Sequence, residues 1–135
     1  MLLWILPYLT VLSLRIGCEY NTTYFSTMFK KAHRLSTREF NHFFSAGKKH
    51  HSKHLTIITH PHPTLKVAVV VGKKVSKSAV KRNVYKRRVL ALLKEVLGDQ
   101  SGVYIVLVKP TFATLARKVA TQEVQSAVAG LPKSK

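Results

Sequence analysis

The feature that most constrains the fold is a strand–helix–strand pattern between residues 65 and 108. Residues 65–72 are mostly β-branched and apolar, which predicts a strand suited to a central place in a sheet. Residues 78–97 predict a long helix that ends at Gly98, and residues 103–108 predict a further strongly apolar strand. Such a chain must build a sheet and pack a helix against it.

A helix is predicted to precede this pattern. Ser36 and Glu39 have the spacing of a capping box, and Leu35 with Phe40 has that of a hydrophobic staple. The helix is expected to end at Gly47. Its start and its end are therefore both marked in the sequence.

The remaining segments complete the order of elements. Residues 48–54 are basic and predict a loop with room for a short strand, and the β-branched residues 55–59 predict a strand. A final helix is expected from a cap at Thr111 to about Ala129, before Gly130. We therefore expect an α+β fold, a small two-layer sandwich of one β-sheet packed with helices, in the order α-β-β-(β)-α-β-α.

Charge defines the class of partner. The 135 residues hold 23 Lys and Arg against 5 Asp and Glu, a net charge of +18, and 46% of them are hydrophobic. A domain with a core and this charge is typical of proteins that bind nucleic acid or an anionic membrane surface.

The single cysteine, Cys18, excludes a disulfide framework and a cysteine-based zinc site. So few scattered acids disfavour a metal-dependent nuclease and favour a binding protein.

Residues 1–27 differ from the rest of the chain. They contain one base and one acid, and they begin with an apolar run of 14 residues, shorter than the roughly 20 that span a bilayer. The run also lacks the basic start of a signal peptide. We interpret residues 1–27 as an extension outside the fold, with Met28 as the natural start, and a membrane or export segment as the alternative. Residues 28–130 are then the basic domain that binds the partner, and residues 131–135 a basic tail.

The predicted long helix has an apolar side and a basic side. Tyr85, Val89, Leu92 and Val96 form an apolar seam that is expected to face the sheet. No acidic residue occurs between residues 73 and 94, and four lysines lie at or before the helix N-terminus, where N–H groups and the helix dipole favour anions. The pattern predicts a phosphate-binding ridge, with a merely solvated helix face as the alternative.

Two segments carry a family resemblance. Residues 73–87, KKVSKSAVKRNVYKR, closely resemble the signature helix of the bacterial ribonuclease P protein component, and residues 33–44, HRLSTREFNHFF, resemble the opening of that family. Order and spacing agree from Met28 to about Ala129. Two positions depart from the pattern: Leu90 stands where the family usually has Arg, and Ile58 lies near a position that is often aromatic.

The resemblance implies a protein subunit that works beside a catalytic RNA. The complex hydrolyses a phosphodiester of precursor tRNA and releases the 5′ leader, and the RNA holds the Mg²⁺ ions. No catalytic residue, metal or cofactor is then expected on the protein itself. The residues implied to contact RNA are Arg34, Lys73, Lys74, Lys77, Lys81, Arg82, Asn83, Lys86, Arg87 and Arg88.

The same resemblance places a leader-binding cleft between the first helix and the sheet. Phe40 and Phe44 correspond to its aromatic positions, although plain core packing is the alternative for both, and Phe43 is expected in the core. The implied partners are the ribonuclease P catalytic RNA and the 5′ leader of precursor tRNA. We expect a cytoplasmic protein, a monomer within the ribonucleoprotein, without an obligate membrane partner.

Two other functions remain open. One is a general RNA-binding or ribosome-assembly protein without a role in cleavage, and the other is a membrane-surface protein anchored by residues 2–14.

Seven histidines fall within 30 residues: His33, His42, His50, His51, His54, His60 and His62. We expect those between residues 50 and 62 in loops and all seven as exposed or RNA-facing groups, because no carboxylate or cysteine lies nearby to complete a metal site.

Overall fold

The computed structural model describes residues 29–98 and 100–132. Its order of helices and strands confirms the predicted one, and it includes the short strand within the basic segment. The elements are a 3₁₀ turn Lys31–His33, α1 Thr37–Ala46, β1 Lys48–His51, β2 Leu55–His60, β3 Leu65–Val71, α2 Ala79–Leu97, β4 Gly102–Val108, a 3₁₀ turn Pro110–Thr114 and α3 Arg117–Ala129. The predictions for residues 1–27 and for most of the basic tail lie outside the described residues.

The four strands form one mixed sheet in the order β1-β2-β4-β3. β1 with β2 and β2 with β4 are antiparallel, whereas β3 and β4 are parallel and are connected by α2. β4 lies in the interior of the sheet, and all its residues except Leu107 are buried.

β3 lies at the edge of the sheet, so the expectation of a central position for residues 65–72 was wrong. Its apolar character has another cause. The segment before α1 runs along the outer side of β3, where Arg34 forms a parallel bridge with Val67 and Phe29 is buried in the core. This segment covers an edge that would otherwise expose apolar side chains and unpaired backbone groups.

Helices lie on both faces of the sheet, which confirms the α+β sandwich and adds a third layer. α2 and α3 pack on one face, where the larger core includes Leu55, Val106 and Phe112. α1 packs on the other face, where Phe43 joins Ile58 and Ile105 in a smaller core. Alternation along β2, β3 and β4 supplies both cores, because successive side chains point to opposite faces.

The ends of α1 are set by the predicted residues. The Ser36 hydroxyl accepts a hydrogen bond from the Glu39 N–H at 3.3 Å, and the Glu39 carboxylate accepts one from the Ser36 N–H at 2.8 Å. Gly47 ends the helix with a negative φ. A Cβ at this position would collide with the Ile58 side chain and lie 2.7 Å from the Phe43 carbonyl oxygen. Glycine is therefore required here by a close approach between α1 and β2.

α2 presents a slightly different row to the core than the sequence predicted. Val89, Leu93 and Leu97 are fully buried, whereas Leu92 and Val96 pack beside them and are only half-buried. The predicted seam was thus rotated by about one residue. Gly98 ends the helix with φ of 53°, a left-handed conformation that favours glycine.

The start of α3 differs from the prediction. Thr111 does not cap the helix: its hydroxyl is 2.9 Å from Nδ1 of His54, and it belongs to a 3₁₀ turn that buries Phe112. α3 begins only after Ala116, later than predicted. It ends at Gly130, where the sequence predicted its end. The burial of one aromatic ring therefore takes precedence over a local capping signal.

Candidate nucleic-acid interface

The exposed side of α2 and the segment before it carry a continuous set of bases. We define the α2 basic surface as seven exposed residues: Lys73, Lys74, Lys77, Lys81, Asn83, Lys86 and Arg87. Within residues 73–98, Glu95 is the single acid, and it lies in the last turn of the helix. Like charges without interspersed acids focus a positive potential on one surface, which suits a polyanion.

Arg82 and Arg88 are placed differently from the rest of the predicted contacts, since both are half-buried. Nη1 of Arg82 donates to the carbonyl oxygens of Ser76 at 2.9 Å and Lys77 at 2.8 Å. The Arg88 guanidinium lies 6.0 Å from the centre of the Tyr85 ring. Both arginines therefore make contacts within the protein.

Arg34 does not belong to α2 or the segment before it but to the segment that covers the edge of β3. Its backbone bridges Val67, and its Nε donates to the Phe29 carbonyl oxygen at 3.3 Å. The side chain is nevertheless exposed. The structure thus places Arg34 beside β3. It places the other nine predicted RNA contacts on α2 and on the segment before it.

The aromatic residues of α1 divide as the sequence predicted. Phe43 is buried, whereas Phe40 and Phe44 are half-buried. The Phe40 and Phe44 rings stack with centres 5.6 Å apart and pack against the smaller core. Each ring therefore contributes to packing and still exposes part of its surface.

An uncovered part of the sheet lies beside these rings. Ala68 and Leu107 are half-buried against the smaller core, and Val70, in register with Leu107, is 38% exposed. We call Phe40, Phe44, Ala68, Val70 and Leu107 the open face. Its strand residues were missed in the sequence, because alternation shows which residues share a face but not which part of that face a helix leaves uncovered.

Two further residues were missed on α2. Val80 is 73% exposed and Val84 is 48% exposed, and they lie one turn apart among the cations. Their i, i+4 spacing opposite the apolar seam was the available signal. They give the α2 basic surface an apolar strip.

Three of the five histidines expected in loops lie on strands instead. His50 and His51 lie on β1, where they hydrogen-bond the Thr59 and Thr56 hydroxyls at 3.2 Å each, and His60 lies on β2. These contacts hold neighbouring strands together. Across residues 29–98 and 100–132, no group of three His, Cys, Asp or Glu side chains is placed to hold a metal.

The described acids do not converge on a Mg²⁺ site either. Glu39, Glu95 and Glu123 lie on three different helices. Glu123 accepts a hydrogen bond from the Ser52 hydroxyl at 2.8 Å. The Ser36 N–H and hydroxyl lower the pKa of Glu39, and Lys66, 3.6 Å away, lowers it further. A two-metal nuclease site needs carboxylates close together, and these three form no such cluster.

Comparison with known proteins identifies the family. The profile of the family described as Ribonuclease P matches residues 29–131. The chain belongs to the ribonuclease P protein family. It is 34% identical over 88 residues to the ribonuclease P protein component of Microcystis aeruginosa, an alignment that covers 58% of this chain and 72% of the relative. It is 35% identical over 107 residues to that of Chromobacterium violaceum, covering 76% and 88%.

Solved ribonuclease P proteins share the fold. That of Staphylococcus aureus superposes with a TM-score of 0.67 at 17% identity, covering 73% of this chain and 94% of the other. That of Thermotoga maritima gives 0.65 at 17% identity, covering 73% and 97%. The predicted family, fold and function are thus confirmed: the chain is a protein component of ribonuclease P, a hydrolase that acts on tRNA precursors. Nothing in the comparisons favours the general RNA-binding alternative.

Family membership implies ribonuclease P RNA and precursor tRNA as partners. The membrane-surface alternative depended on residues 2–14, which lie outside the described residues. Among the described residues, none of the helices has the length and apolar character needed to cross a bilayer.

Proposed function

We propose that the chain binds the catalytic RNA of ribonuclease P with the α2 basic surface and the 5′ leader of precursor tRNA with the open face, and so supports removal of the leader. The observation that carries the proposal is the uninterrupted charge of the α2 basic surface. Phosphate contacts by Lys and Arg release counterions and supply much of the affinity for RNA.

The open face suits a single strand. Aromatic rings with part of their surface exposed stack on unpaired bases at about 1–3 kcal/mol per base, with little regard to sequence. Phe40 and Phe44 offer such rings, and Lys49 adds a cation 5.2 Å from the Phe44 ring centre. Leader binding here leaves α2, on the other side of the sheet, available to the catalytic RNA.

The chemistry of cleavage is assigned to the RNA. Because no three potential metal ligands converge within the described residues, we propose that Mg²⁺ is held by the RNA and that no side chain of this chain acts as a catalytic residue. We also propose that one protein molecule acts in each ribonucleoprotein, in the cytoplasm and without a membrane partner. The large exposed apolar side chains in the described part of the chain are four valines, Val70, Val80, Val84 and Val119. They offer too little area for an obligate protein interface.

The decisive experiment measures release of the 5′ leader from precursor tRNA by the ribonuclease P RNA encoded with this chain. The reaction is run at low Mg²⁺ with and without the full chain. We expect strong dependence on the protein. Binding of the RNA without any stimulation of cleavage would instead support the general RNA-binding alternative.

A matched pair of variants tests the α2 basic surface. Arg87→Ala is expected to weaken binding of the catalytic RNA and to reduce the log–log salt slope by about 0.7–0.9, the value for one phosphate contact. Lys118→Ala removes an exposed cation from α3 and is expected to leave both quantities nearly unchanged. Equal losses in the two variants would show that only net charge matters.

A further inference from the structure

We propose that Arg82 is a positioning residue: it holds the segment 72–78 so that Lys73, Lys74 and Lys77 face the RNA, and it is not itself a principal phosphate contact. The inference rests on the function proposed for the α2 basic surface. It reassigns a residue that the sequence placed among the direct RNA contacts.

The contacts of Arg82 carry the argument. Its Nη1 atom has two hydrogens and donates to two successive carbonyl oxygens, those of Ser76 at 2.9 Å and Lys77 at 2.8 Å. The side chain runs back toward the N-terminus of α2, the direction that helical side chains favour. Both bonds come from one NH₂ group, whose two hydrogens are held in the plane of the guanidinium, and a charged donor makes hydrogen bonds roughly twice as strong as a neutral one.

The segment that Arg82 holds has few other attachments. The Val75 N–H donates to the Gly72 carbonyl oxygen at 3.0 Å, and the Val75 side chain packs against the larger core. Ser78 caps the helix through a long hydrogen bond of 3.5 Å. Between Val75 and Ser78, the carbonyl groups of Ser76 and Lys77 accept their hydrogen bonds from Arg82. Its removal would therefore free the backbone that carries Lys77.

The cations of the α2 basic surface differ from Arg82 in exposure. Lys73, Lys74 and Lys77 are exposed, and so is Arg87 further along the helix, whereas Arg82 is half-buried. Both Nη1 hydrogens of Arg82 are used within the protein, which leaves only the Nε and Nη2 hydrogens of a half-buried side chain for a phosphate. The geometry therefore assigns phosphate binding to the lysines and orientation of the lysines to Arg82.

The first test needs no RNA. Amide hydrogen exchange is measured on the full chain, with and without Arg82→Ala. The Val75 N–H keeps its acceptor in the variant, but the chain that follows it loses both bonds from Arg82, so the turn should open more often. We expect the Val75 amide to exchange about tenfold faster, the effect of losing about 1.4 kcal/mol, while amides of residues 89–97 keep their protection. Unchanged exchange at Val75 would overturn the inference.

The second test asks whether Arg82 acts through the lysines. The salt slope of binding to the ribonuclease P RNA encoded with this chain is measured for Arg82→Ala, first in the wild-type chain and then in a variant with Lys73, Lys74 and Lys77 replaced by Ala. In the first background we expect the salt slope to fall by more than the value for one phosphate contact, about 0.7–0.9. In the second background we expect it to stay unchanged. A fall of about 0.7–0.9 in both backgrounds, the value for one direct contact, would overturn the inference.

Two further variants complete the design. Arg87→Ala is expected to lower the slope by one contact in both backgrounds. Arg82→Lys keeps the charge, but its side chain is one atom shorter and lacks the two fixed hydrogens of Nη1, so it is expected to bind RNA as weakly as Arg82→Ala; wild-type affinity in Arg82→Lys would contradict the inference. If the wild-type chain shows no salt-dependent binding, the proposed function fails, and the exchange measurement alone decides the role of Arg82.

Discussion

The Nζ atom of Lys49 lies 5.2 Å from the centre of the Phe44 ring. The lysine belongs to β1 and the ring to α1, so two elements bring a cation and an aromatic group together beside the open face. The face of an aromatic ring attracts a cation through its quadrupole. A nucleotide whose base stacks near Phe44 would thus find a positive charge for its phosphate.

Phe44→Leu is expected to weaken binding of precursor tRNA that carries a 5′ leader. Loss of one base stack of about 1–3 kcal/mol corresponds to roughly 5-fold to 150-fold in Kd. The measurement compares holoenzyme affinity for this substrate with that for tRNA without a leader, which should not change. Equal losses for both substrates would place Phe44 outside the leader site.

Phe43→Ala serves as the matched comparison on the same helix. Phe43 is buried in the smaller core, so its truncation should lower the free energy of unfolding by about 3–5 kcal/mol, as measured by denaturant titration. Phe44→Leu keeps an apolar side chain and should lower it by much less.

The capping box of α1 predicts a pH dependence of stability. The Ser36 N–H and hydroxyl, followed by Lys66, lower the pKa of Glu39 in the folded chain. The stabilisation is therefore complete above the unfolded pKa of about 4.3 and is lost as the pH falls through the lower folded value. Thermal unfolding between pH 6 and pH 3 should show a smaller acid-induced loss in Glu39→Gln than in the wild type.

Ser36→Ala tests the other half of the same box. It should lower stability by about 1 kcal/mol at neutral pH, since the N–H of Glu39 loses its acceptor. Parallel acid curves for the wild type and Glu39→Gln would contradict the pKa argument without affecting this second expectation.

Gly47→Ala is expected to destabilise the fold. The added methyl group would meet Ile58 and the Phe43 carbonyl, and overpacking of this kind costs about 1–3 kcal/mol. Gly130→Ala is the control, because its Cβ would lie 3.5 Å from the Ser126 carbonyl oxygen, an ordinary contact, at a φ of −76°. Denaturant titration should show Gly130→Ala unchanged or stabilised by about 0.4–1 kcal/mol.

Leu90→Arg restores the residue that the family usually has at this position. Leu90 is half-buried against the larger core, so the variant should lose part of that packing and unfold at a lower temperature. The guanidinium should add about one contact to the salt slope of RNA binding, since position 90 lies one turn beyond Lys86 and Arg87. An unchanged slope would show that Leu90 faces away from the RNA.

Much of the fold could be predicted because its signals are local. The capping box at Ser36, the apolar run of β4 and the glycine after Leu97 each act within a few residues, and the structure confirms all three. The two errors in placing elements have a shared cause. The place of β3 at the edge and the late start of α3 depend on Phe29 and Phe112, which fill the core from distant segments.

In the candidate site too, the features set by local sequence could be predicted and the contacts between side chains and distant partners could not. The cations of α2 follow from residue order, and Lys81, Lys86 and Arg87 are exposed as a ridge requires, whereas Arg82 and Arg88 are half-buried. The turn of Arg82 back to the Ser76 and Lys77 carbonyls was not predictable, because helix periodicity gives the direction of a side chain but not its partner. The contact of Lys49 with Phe44 depended on β1, for which the sequence predicted mainly a loop.

The position of β4 has a consequence for the growing chain. β2 and β3 follow one another in sequence but are separated in the sheet by β4, which is synthesised last of the four strands. Until residues 102–108 have left the ribosome, only the β1–β2 hairpin has its partner, while β3 and α2 have no completed sheet to pack on. Any nascent chain shorter than this therefore carries the cations of α2 without the scaffold that arranges them.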